Sequence, residues 1–80
     1  MWATVGRNEW KADSYQQISI AYRKAVDAFK ARGGTYPPRC EILNHEGRVI
    51  AHVSPTGIVW PGAVMRLGAT PLYAPPRVTA

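Results

Sequence analysis

The chain has a single cysteine, Cys40, so no internal disulfide can staple it and no second thiol is present to share a metal. That suits a reducing compartment, and the opening MWATVGRNEW lacks the basic and then apolar order of a signal peptide. We expect a cytoplasmic protein. Acids are scarce too, with five against ten lysines and arginines, a net charge of +5, and none from Ser54 onward. A balance of that sign favours an acidic partner, either nucleic acid or an acidic protein surface. Long blocks of lysine and arginine, the mark of a dedicated nucleic-acid tail, are missing. Apolar runs near the roughly 20 residues that cross a bilayer are missing as well, which argues against a membrane role. Two histidines and one cysteine match no structural zinc spacing, and no glycine sits in the strand-loop-helix order of a nucleotide fingerprint. No cofactor is expected.

What is present is enough apolar material to fold. Hydrophobic residues make up 46% of the 80 and aromatics 10%, too many for a disordered chain. The organising stretch is Ser14 to Arg32, in which Ile18, Tyr22, Ala25 and Phe29 recur on one helical face and Ala21, Val26 and Ala28 widen it. Ser14 and Gln17 have capping-box spacing, Asp13 lies near the positive end of the dipole, and Gly33-Gly34 supplies a left-handed stop. Arg23, Lys24 and Asp27 mark the solvated side, with Asp27 within reach of Lys30. Ile20 stands among them, where an ordinary exposed apolar side chain outweighs a contact point.

On either side of the helix the signals are β. Trp2 to Lys11 predicts a strand with a bulge or an early tight turn at Gly6, anchored by Val5 and Trp10. After the helix, GGTYPP forces an extended loop that carries Tyr36 outward. Arg39 to Val53 predicts a hairpin about Asn44-His45-Glu46-Gly47. In the simplest register Asn44 faces Arg48, Leu43 faces Val49, Ile42 faces Ile50, and Cys40 faces His52. One face then holds Cys40, Ile42, Ile50 and His52, and the other Leu43, Val49, Ala51 and Val53 beside Glu41. Both are apolar, so the second needs the C-terminal segment or a partner to cover it. Ile58-Val59-Trp60 reads as a third sheet strand, and Ala63 to Leu67 as a last short one. The expected fold class is α+β, one amphipathic helix packed on a small antiparallel sheet of three to four strands in two layers. Residues 1–80 are read as one compact domain whose proline-rich end, 68–80, lies extended on the body with Leu72 and Tyr73 as anchors.

For chemistry, Cys40 opposite His52 invites a nucleophilic dyad. With no third orienting carboxylate and no oxyanion cradle, a half-buried thiol beside a surface histidine is the better account. We expect no enzyme. Basic residues do alternate with aromatics, as Arg7, Trp10 and Lys11, and again as Arg32, Tyr36 and Arg39, which is what single-stranded nucleic acid requires. Protein contact uses the same residue types, with Trp60, Arg66 and Tyr73 in the acid-free third.

The layout of an N-terminal strand ending at Trp10, the helix, the hairpin Cys40 to Val53 and a short further strand resembles the compact α+β anti-CRISPR proteins of phages and mobile elements. The likeness is to those acting on type I surveillance complexes such as Cascade. These share size and layout but no diagnostic motif, so no residue role is carried over, and the basic balance departs from the acidic members that imitate DNA. We expect a monomer, with a symmetric dimer through the second apolar hairpin face as the alternative. The resemblance implies a stoichiometric inhibitor without turnover, occupying an acidic patch of the complex or interfering with a conformational step, and so blocking target DNA engagement or processing. Its expected contact residues are Arg23, Lys24, Lys30, Arg32 and Arg39, with Ile20 and Tyr36 adding apolar area. The alternative is a small basic nucleic-acid-binding regulator.

Overall fold

Gly6 lets the chain reverse in two residues. Its φ of +58° is reached without a Cβ penalty, while Arg7 keeps a negative φ, the pattern of a type II′ turn. In a computed structural model, which describes residues 1–76, this makes the Trp2–Lys11 stretch a hairpin of β1 (Trp2–Val5) and β2 (Asn8–Lys11). Helix α1 (Tyr15–Ala31) follows, then β3 (Cys40–Leu43), β4 (Val49–Val53) and β5 (Val59–Pro61). All pairs are antiparallel, and the sheet order is β2-β1-β3-β4-β5. Among the described residues the sheet thus has five strands rather than three or four, because the first predicted strand is two.

The α+β layering is as expected, with α1 on one face of the sheet. Ser14 caps the helix, its Oγ accepting from the Gln17 N–H at 3.2 Å. Gln17 returns the bond one residue earlier than usual, to the Asp13 N–H at 3.0 Å. At the far end Gly34 donates to the Phe29 carbonyl and Gly33 (φ +86°) to that of Lys30, a Schellman closure.

The helix is rotated from the expected stripe. Ile18, Ser19, Tyr22 and Val26 are buried, Phe29 is half-buried, and Ala25 and Ala28 are exposed. Two hydrogen bonds account for the rotation. Ser19 Oγ donates to the Gly57 carbonyl at 2.6 Å, and Tyr22 Oη donates to the Pro38 carbonyl at 2.6 Å. Both polar groups can be buried because both are satisfied.

The hairpin register also differs. Asn44 and Arg48 pair and Leu43 faces Val49, as expected. A bulge between Ile42 and Leu43 then sets Ile42 opposite Ala51, Glu41 opposite His52 and Cys40 opposite Val53. The irregularity has a physical gain. It puts Cys40, Ile42, Ala51 and Val53 together under the helix and turns Glu41 and His52 away, where a regular ladder would bury the imidazole. Ala3, Val5 and Val59 complete the buried face. The other face carries Trp2, Thr4, Glu41, Leu43, His52 and Trp60, partly exposed and mixed rather than apolar.

Ala63 to Leu67 forms no strand, and Val64, Met65 and Leu67 are exposed. The chain returns at Leu72-Tyr73, where Val59 donates to the Tyr73 carbonyl and accepts from Leu72, both at 2.8 Å, so Tyr73 packs on the core as an anchor. Of the expected 68–80 segment, residues 77–80 lie outside the described residues.

The turns Asn44–Arg48 and Ser54–Ile58 repeat one design. Each closes with two backbone bonds, and a side-chain oxygen of its first residue accepts from the fifth residue's N–H. Gly47 (φ +80°) and Gly57 (φ +92°) hold the same position, but a Cβ at Gly47 meets nothing within 4 Å. At Gly57 it would lie 2.8 Å from Ser19 Oγ and 2.5 Å from Arg23 Cδ. Gly47→Ala should therefore cost about 1 kcal/mol, the backbone penalty alone. Gly57→Ala should cost about 2–4 kcal/mol, because the Arg23 stem and the buried Ser19 hydroxyl with its hydrogen bond must also give way. Urea unfolding of the two variants checks this; equal losses would contradict the close approach.

Candidate functional site

Cys40 and His52 do not meet. Cys40 is fully buried under the helix, and burial first, then the nearby Glu41 charge, pushes its thiol up to about 12. His52 faces the other way and its Nδ1 donates to the Gly62 carbonyl at 2.8 Å. A thiol so placed is not a thiolate near neutral pH. Among the described residues, no three of His, Cys, Asp and Glu converge to hold a metal, and no buried side-chain nitrogen or oxygen lacks a partner. Among the described residues no helix is long and apolar enough to cross a membrane.

The remaining candidate is the surface of α1. Helical spacing places Ile20, Lys24 and Asp27 along its crest and Arg23 and Lys30, seven residues apart, down the flank that meets the Gly57 turn. Arg32 lies on the opposite flank. All are exposed, Ile20 at 47%. The expected Asp27–Lys30 pair is not formed; among the described residues the ion pairs are Arg39–Glu41 (3.4 Å) and His45–Glu46 (3.9 Å). Arg39 is thereby partly neutralised. Arg23 has a second role, since its stem covers Gly57. Tyr36, 87% exposed, stands out from the post-helix loop as expected. The predicted set is thus divided between the crest and one flank of the helix, the other flank, and the loop.

Sequence reasoning missed the opposite flank. Tyr22, Ala25, Val26, Phe29 and Arg32 of the helix face Val5, Gly6, Arg7 and Asn8 of the first hairpin and Pro38 across a groove of about 240 Å³. Ala25 and Phe29 were expected in the core, and only the two-residue turn at Gly6 brings Arg7 to the same place as Arg32. No motif signals such a meeting. A more open hollow of about 420 Å³ lies between Pro61 and Ala69, beside Arg66 and Leu67.

Comparison with protein-family models, curated proteins and solved structures finds no match to this chain. Function is therefore argued from the residues.

The thiol environment sets a pH dependence. Since the folded value is raised above the ordinary one near 9, the neutral thiol's contribution is fully present below that value and is lost as pH rises toward about 12. Tyr22, raised by burial and then by Cys40, acts in the same direction. Stability measured across that window should fall less steeply in Cys40→Ala than in the parent chain. At about pH 8 a thiol reagent should label Cys40 only as fast as the chain unfolds; immediate labelling of folded protein would contradict the burial.

Proposed function

We propose that this chain is a non-enzymatic cytoplasmic protein that binds, as a monomer, an acidic surface of a partner protein complex and inhibits it by occupancy. The observation that carries this is the exposed side of α1, where Arg23 and Lys24 lie one turn beyond Ile20 and Lys30 follows further along, with Asp27 as the one carboxylate between them and no ion pair formed among the described residues. An exposed apolar side chain next to unpaired cations on one helix surface matches the edge of an interface where apolar contact meets charged groups. Binding there leaves the core untouched, because none of the side chains that fill the sheet–helix interior belongs to the set.

The resemblance to anti-CRISPR proteins supplies the partner class within this proposal, a type I surveillance complex held from target DNA. A second reading, a nucleic-acid-binding regulator, has one observation of its own: Tyr36 stands exposed in a loop between Arg32 and Arg39, in the manner of a stacking residue.

The test is binding to a purified, nuclease-treated type I surveillance complex. Lys24→Glu with Lys30→Glu should weaken binding more than about tenfold, with stability within about 0.5 kcal/mol of the parent. Arg23→Ala should lower stability as well as binding, because it uncovers Gly57. Unchanged binding in the double variant contradicts the proposal. Affinity for an oligonucleotide alone, falling steeply with salt and lost in Tyr36→Ala, would establish the second reading instead.

A further inference from the structure

The groove on the opposite flank of α1 has Val5, Ala25, Val26, Phe29, Pro38 and the buried Tyr22 as its apolar lining. The Tyr22 hydroxyl is already committed to the Pro38 carbonyl. Polar recognition therefore falls to the rim, where Arg7 and Arg32 line the same groove and no carboxylate does. Neither arginine forms an ion pair among the described residues. The helix end beside them would ordinarily disfavour an anion, but the carbonyls of Ala28, Phe29 and Lys30 already accept from Arg32, Gly34 and Gly33. That leaves the positive side chains as the main local charge.

Size narrows the occupant. At about 240 Å³ the groove is below the roughly 300–1,000 Å³ of sites that enclose a small-molecule ligand, and suits one large apolar side chain. With the Tyr22 hydroxyl committed, Asn8 is the one uncharged polar side chain left free in the lining, too little to read a base edge by hydrogen bonding. We infer that the groove between the Gly6 turn and α1 takes an acidic peptide segment, one apolar side chain in the groove with flanking carboxylates on Arg7 and Arg32. This deepens the proposed function by naming the form of the acidic partner surface, and it rests on that proposal for the partner being a protein.

The probe is a labelled peptide, Gly-Asp-Glu-Phe-Asp-Glu-Gly, titrated into the full ¹⁵N-labelled chain to about 1 mM, with the Phe→Ala peptide and a poly-dT oligonucleotide in parallel. Saturable shifts should centre on Val5–Asn8 and Tyr22–Arg32 and weaken about tenfold or more with the Ala peptide and in Arg7→Glu with Arg32→Glu. Ala25→Trp fills the groove from an exposed helical position and should abolish those shifts. Amide spectra of each variant confirm its fold, and Ala25→Leu replaces Ala25→Trp if that variant unfolds. Absence of saturable shifts, shifts centred elsewhere, or the same residues responding only to the oligonucleotide would overturn the inference. If Ala25→Trp spares binding to the surveillance complex while Lys24→Glu with Lys30→Glu abolishes it, the groove fails and the proposed function stands. If the converse holds, the crest is not the contact and the groove survives alone.

Discussion

The close approach of the helix to the Ser54–Ile58 turn sets the rest of the structure. Ser19 can donate to the Gly57 carbonyl only because residue 57 has no side chain, and that bond, with Tyr22 on Pro38, fixes α1 about its own axis. Once the rotation is fixed, burial follows: Ile18, Tyr22 and Val26 lie against Cys40, Ile42, Ala51, Val53 and Val59. So does exposure. Ile20, Lys24 and Asp27 are left on the crest, and Arg23 is laid over the turn it helps to cover.

On the proposed function, stability and recognition fall to different residues on one helix, with Arg23 the exception that serves both. The core is small and the bulged hairpin keeps it free of charge, so an inventory of 80 residues with few acids can present most of its cations to solvent without unpaired burial. The two flanks differ in chemistry. One carries Arg23 and Lys30 beside the crest; the other gives an apolar groove lined by two arginines.

Much of the fold is legible from local patterns. The helix with both caps, the turns at Asn44 and Ser54, the strand about Val59 and the anchoring role of Tyr73 each follow from residues near one another in sequence. Where expectation and structure part, a distant contact decides. The apolar stripe through Ala25 and Ala28 is as periodic as the one that is buried, and the bonds to the Gly57 and Pro38 carbonyls, made outside the helix, select between them. The ladder bulge is invisible in the hairpin itself, because either register satisfies the turn; keeping His52 out of the core decides it. The basic candidate residues are legible as a charge pattern, but their division over the crest, the two flanks and the loop depends on that rotation. Arg7 joins Arg32 through sheet topology, for which no local signal exists.

The most direct test of this account is the set of nuclear Overhauser contacts made by the Gly57 α-protons in the labelled chain. Contacts to the Ser19 β-protons and the Arg23 γ- and δ-protons are predicted, and they would fix the crest and both flanks as described. Contacts to the methyls of Ala21 or Ala28 instead would mean a helix turned to the other stripe, and would contradict both the core and the surfaces built on it.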